Sequence, residues 1–224
     1  MGAGVCGVRS SKEMFDILIR HTLWFHKKPS LVGIMKMNQK NEIIQQTKNW
    51  VSQVIVKLNF CPFARPVVES NGIHYHFTET HDLHEALQAL IEQCQYLDEQ
   101  PEIKTALVIY AHGFDTFDDF LDLVELANPL LEAQGYEGIY QLANFHPDYC
   151  FEGELPSDPA NYTNRSPYPM LHIIREADLE QALESYPNPE AIPTRNIALA
   201  REMGLAALQS ALEQCKRPAG GSSE

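Results

Sequence analysis

The chain has 224 residues and a mass of 25.4 kDa, with 44% hydrophobic and 21% charged residues. That is enough for one domain with its own core, and it excludes wholesale disorder and collagen-like architecture. The formal net charge is −13, and no apolar run reaches the ~20 residues of a transmembrane helix.

The charge is unevenly spread. Residues 1–36 hold six basic and two acidic side chains, a net +4, so the remaining 188 residues carry −17. An acidic body of this size lacks the cationic face that phosphates require, so neither nucleic acid nor an anionic membrane is an expected partner. The cysteines stand at 6, 61, 94, 150 and 215. Their odd count, their wide spacing and the lack of C-x-x-C argue against a disulfide framework and a zinc ribbon. Free thiols in a reducing cytoplasm are the expectation, with no cofactor.

Residues 1–36 read as a segment apart, either a targeting leader or the product of an upstream start, with Met35 or Met37 opening the domain. Asp16 and Arg20 interrupt any secretory apolar core, and Cys6 stands where myristoylation requires Ser or Thr. One domain is expected over 37–216, followed by a disordered tail over 217–224.

From Asn41 to Asn59, Ile43, Ile44, Thr47, Trp50, Val51, Val54, Ile55 and Leu58 recur at helical spacing. Gly72–Thr78 alternates and predicts a strand. A helix opens at Thr80 or Asp82 and stops at Pro101. The continuous apolar run Thr105–Ala111 predicts a strand buried on both faces. Thr116 through Asp119 is a capping-box-like start for a second helix, which Gly135 ends. Gly138–Ala143 and Met170–Arg175 are the third and fourth strands. Helices over 177–184 and about 194–214 close the chain. Strands alternating with helices predict an α/β domain with a small, mostly parallel sheet of about four strands.

Chemistry concentrates between the third and fourth strands. Segment 144–169 is long for a loop and carries Phe145, Tyr149, Phe151, Tyr162 and Tyr168 together with His146, Asp148, Glu152, Asn164 and Arg165. His172 and Arg175 follow on the next strand. Cys61 precedes Pro62; it is either a helix-start thiol with thiolate character or a small core residue. His146, Asp148, Glu152 and His172 are of metal-binding type but lack a tight ligand spacing, so no metal is expected. Arg165 and Arg175 either grip a carboxylate or phosphate or pin the loop to its own carboxylates.

Three stretches carry a resemblance: Leu58-Asn-Phe-Cys-Pro-Phe-Ala64, Phe145-His-Pro-Asp-Tyr149, and Asn161-Tyr-Thr-Asn-Arg-Ser-Pro-Tyr-Pro169 with Leu171-His172 and Arg175-Glu176. Together they resemble a bacterial family known as domain of unknown function 1415, over about residues 37–215. The resemblance implies a bacterial cytosolic protein and brings no activity with it.

The expectation is an enzyme or binder of a small anionic ligand. His172 or His146 would be the general acid or base, Cys61 an optional nucleophile, and Arg165, Arg175 and Asn164 the ligand's holders. The alternative is a non-catalytic interaction or assembly module whose platform is the aromatic loop 144–169.

Overall fold

Ile43, Thr47, Trp50 and Val54 fall on one stripe, and a computed structural model winds them into the opening helix. The structure describes residues 31–217. The predicted leader up to Ser30 and the tail from Pro218 lie outside the described residues. The chain divides into two compact units, Met1–Gln39 and Lys40–Glu224. Of the first, the described part is the start of helix α1 (Leu31–Trp50), where Val32, Met35 and Met37 are exposed.

In the second unit, a π-helical turn (Val51–Val56) extends α1, and Asn59 leaves the helix in the left-handed region at φ 56°. Next come α2 (Ala64–Glu69), β1 (Ile73–Thr78), α3 (Leu83–Glu99), β2 (Thr105–Tyr110), α4 (Phe117–Ala133) and β3 (Tyr140–Phe145). Asp82 and Thr116 cap α3 and α4, accepting the N–H of Glu85 at 2.9 Å and of Asp119 at 3.1 Å. A 3-10 turn (Pro159–Thr163) lies in the long loop. It is followed by β4 (Met170–Arg175), α5 (Glu176–Glu184), a second 3-10 turn (Pro189–Ala191), α6 (Ile192–Met203) and α7 (Leu205–Cys215). The single helix expected over 194–214 is two, because Gly204 sits at φ 78° and ψ 161°, outside any helix.

The four strands lie in the order β1-β2-β4-β3. Here the structure corrects the expected mostly parallel sheet. Only β1 and β2 pair in parallel; β2–β4 and β3–β4 are antiparallel. The alternation rule holds for the helix-linked strands, since β1, β2 and β3 all run the same way. But β3 skips one place, and β4 fills the gap from the opposite direction, making a split β–α–β unit. No helix connects β3 to β4. Phe145 pairs directly with Met170, so residues 146–169 are the connection of a wide hairpin.

Of the two central strands, β2 is buried along its length and β4 at Met170, Leu171 and Ile173. Ala106, Val108, Tyr110, Leu171 and Ile173 pack beneath α3 and α4. Leu107, Ile109 and Met170 face the other layer, made by Trp50, the π-turn and residues of α6 and α7. Two side chains of α1 help fix this second layer by binding the free carbonyls that end α7. Gln46 donates to Lys216 O at 3.0 Å and Asn49 to Cys215 O at 3.2 Å.

The loops after β1 and β2 touch at Gly113. A Cβ there would lie 2.4 Å from the Thr80 carbonyl oxygen. Substitution Gly113→Ala is therefore expected to destabilise the protein by about 2 kcal/mol, through backbone displacement. Urea denaturation measures it; an unchanged midpoint would mean that the two loops do not need this approach.

Candidate functional site

Alternation along the sheet places Thr105 and Leu107 of β2, His172 and Ile174 of β4, and Ala143 and Phe145 of β3 on one face. His172 is flanked in register by Leu107 on one side and Ala143 on the other. The small Ala143 leaves room beside the imidazole. Over this face lies a partly enclosed cavity of about 730 Å³. Its far wall is Trp50 and Ile55, the Phe60–Ala64 turn, and the inner sides of α5 and α6. It lies on the face of the sheet rather than at the strand ends, where open parallel sheets hold ligands.

The wall is braced by hydrogen bonds. Trp50, 1% exposed, donates its indole N–H to Arg165 O at 3.0 Å and packs edge-on to Phe145. Asn196 of α6 donates to Phe60 O at 2.6 Å, and Arg195 to Asn59 O, so α6 holds the turn that carries Cys61. The Cys61 thiol is pushed up by burial, which outweighs hydrogen bonds from the Phe63 and Ala64 amides. It is a neutral thiol, not a thiolate.

His172 meets Thr105 with Nε2 and Oγ1 2.6 Å apart, and Thr105 Oγ1 donates to Ile173 O at 2.5 Å. Burial lowers the His172 pKa from 6.5 to about 4, so the ring is neutral at physiological pH.

Of the residues picked from sequence, Cys61, Asn164, His172 and Arg175 border this cavity, while His146 and Arg165 do not. No hydrogen bond joins Cys61 to His172. Asn164 is engaged with the protein: its amide donates to Asn144 O at 3.3 Å, and its Oδ1 accepts from Thr163 at 3.2 Å. Arg175 turns its guanidinium to the other face. There it donates to the carbonyls of Ile103 (3.2 Å), Leu97 and Gln100 (3.3 Å) and to the Tyr140 hydroxyl (3.1 Å). Those carbonyls include the end of α3, where a cation complements the helix dipole.

His146 is fully buried on the opposite side of the sheet from His172, between Phe117 and Phe120. Its Nδ1 accepts the Asp148 N–H at 3.0 Å, so Nε2 carries the proton and donates to Phe114 O at 3.0 Å. Burial lowers its pKa. Arg165 donates to Tyr149 O at 3.1 Å and Pro156 O at 2.9 Å, and lies over the Tyr162 ring. Both arginines hold backbone carbonyls rather than the loop carboxylates considered from sequence.

Sequence reasoning passed over Thr105 and Trp50 as site residues. The signal for Thr105 was present: one hydroxyl at the head of an otherwise apolar, doubly buried strand must find a partner. Trp50 read only as part of a helix stripe. A second hollow of about 490 Å³, lined by His81, Asp115, Asp119 and Asp122, lies at the ends of β1 and β2. Among the described residues, no group of three or more His, Cys, Asp or Glu is placed to hold a metal ion, and no helix is long and apolar enough to cross a membrane.

A family model described as "Protein of unknown function (DUF1415)" matches residues 42–210. The chain belongs to that family. All of the cavity wall named above falls within the matched region. No curated protein and no solved structure matches the chain.

Two outcomes follow from these contacts. Arg175→Met should cost about 2 kcal/mol, because it removes the guanidinium's hydrogen bonds to three carbonyls and the Tyr140 hydroxyl. Leu97 O, Gln100 O and the hydroxyl keep the Gln100 N–H, the Ile103 N–H and Asp98, but Ile103 O loses its donor. Phosphate or a dicarboxylate should stabilise neither protein; anion stabilisation of the wild type that Arg175→Met abolishes would show that the guanidinium serves a ligand. The second concerns pH. The folded pKa of His172 lies below the unfolded value, so the unfolded chain takes up the proton first as pH falls. Stability is then full above pH 6.5 and lost between 6.5 and about 4, by up to roughly 3 kcal/mol. His172→Phe should flatten that slope by about one proton in denaturant titrations across this range.

Proposed function

We propose that the protein binds a small, mainly apolar molecule in the cavity over the sheet. The observation that carries this reading is the composition of the wall. A cavity of about 730 Å³ falls within the ~300–1,000 Å³ of small-molecule sites. Its lining is dominated by aliphatic and aromatic side chains. The two cations on it are engaged: Arg175 with carbonyls, and Lys104 with Asp178 at 3.5 Å. This speaks against the small anion first expected.

The same wall supports binding more than catalysis. A neutral Cys61 and a neutral His172 that share no hydrogen bond lack the nucleophile–base contact of covalent catalysis. The interaction-module reading has less behind it. Phe145 packs on Trp50, Tyr149 on Phe117, and the Tyr168 hydroxyl donates to Gln46, so these aromatics are tied inward.

Titration with Nile red, a neutral apolar dye, tests the reading. Saturable one-to-one binding is expected, with a raised melting temperature. Ala143→Leu and Ala182→Trp, which push bulk into the cavity from the sheet and from α5, should abolish it while the fold persists by circular dichroism. Absence of saturable binding, or binding indifferent to both substitutions, would overturn it.

A further inference from the structure

We infer that His172 Nδ1 is the recognition acceptor of this cavity, and that the ligand is an apolar molecule bearing a hydroxyl or N–H donor, such as a phenol or an indole. The inference rests on the cavity being a small-molecule site and adds the chemistry that selects the molecule.

A proton count fixes the tautomer of His172. Thr105 Oγ1 lies 2.5 Å from the Ile173 carbonyl and 2.6 Å from His172 Nε2. A carbonyl only accepts, and a hydroxyl has one proton. Thr105 therefore gives that proton to Ile173 O, and His172 Nε2 must supply the proton of the second contact. This fixes the imidazole as the Nε2–H tautomer. Nδ1 is left with its lone pair. The lowered pKa of the buried ring keeps it neutral, so the lone pair persists at physiological pH.

Nδ1 has no partner. Other polar side chains of the same wall are engaged within the protein; Asp178 Oδ2, which has no hydrogen bond, is ion-paired with Lys104 at 3.5 Å. Asn164 donates to Asn144 O at 3.3 Å, and its Oδ1 and Ala160 O share the single Thr163 hydroxyl proton at 3.2 and 3.0 Å; Asn196 donates to Phe60 O. Nor is Nδ1 sealed off. Among the described residues, the one buried side-chain nitrogen or oxygen without a hydrogen bond is Asp178 Oδ2. An unpartnered Nδ1 on a cavity-lining residue is thus open to the cavity. A bare acceptor in apolar walls favours a ligand with a donor and penalises the matching ligand without one.

The experiment compares 2-naphthol with 2-methoxynaphthalene, which keeps the oxygen and loses the donor, with Nile red as the cavity probe. The naphthol should displace Nile red at about tenfold lower concentration than the ether. In His172→Phe, which keeps a ring and removes the acceptor, the ratio should fall to one or below. Long-range ¹H–¹⁵N spectra of the unmodified protein give a readout independent of that variant. They should show the proton on Nε2 and a naphthol-induced shift at Nδ1. Nile red binding with no preference for the naphthol, or a proton on Nδ1, would overturn the inference and leave the cavity reading standing. Failure of Nile red itself would instead remove the cavity reading.

Discussion

The antiparallel insertion of β4 between β2 and β3 is the constraint on which the rest depends. It closes the central gap of a split β–α–β unit with Met170, Leu171 and Ile173, all fully buried. It also decides where chemistry sits. Pairing Leu107, His172 and Ala143 across three strands puts an imidazole in the middle of a sheet face rather than at a strand end. Leu171 and Ile173 alternate to the other face and fill the core under α3 and α4. A slip of one residue would send His172 into that core and Ile173 into the cavity.

Because β4 returns beside β3, the 24 residues between them must fold back on themselves above the sheet edge. An exposed loop of that length would be poorly ordered without internal partners. Its cations provide them. Arg165 holds the carbonyls of Tyr149 and Pro156, and Arg201 of α6 clamps Asp158 and Glu154 at 3.0 Å each. His146 does the same with its two ring nitrogens, linking the loop to Phe114. Phe114 itself stands at φ 61°, where a bulky residue is strained, and its carbonyl receives that hydrogen bond. The polar residues that made the loop look like a reaction centre are largely the means of folding it.

Local features were legible in the sequence. Met170–Arg175 is a strand with the expected bounds, Thr116 is the cap of α4, and the apolar run at Thr105 is a strand buried on both faces. Those signals depend on neighbours within a few residues. The direction of β4 does not: a strand reads the same in either orientation, and only its pairing with Phe145 and Ile109 fixes it. The site divided along the same line. His172 and Cys61 could be picked out by type, but His146, just past the end of the neighbouring strand β3 and on the other face, had the same local credentials. Arg175 was equally opaque. Its partners are the final carbonyls of α3, more than 70 residues earlier, and no short-range pattern announces such a cap.

The remaining question is why one unpartnered nitrogen should matter in a large apolar space. In water, an acceptor trades one partner for another and gains little. In the cavity, the competing solvent is displaced by the ligand, and the local dielectric is low, so a donor that reaches Nδ1 is favoured and one that is missing leaves the nitrogen bare. Thr105 sharpens this. By accepting from Nε2 it prevents the ring from presenting an N–H inward, so the site cannot adapt to a ligand that offers only an acceptor. Apolar walls then supply affinity that is indifferent to detail, and a single oriented imidazole supplies the discrimination.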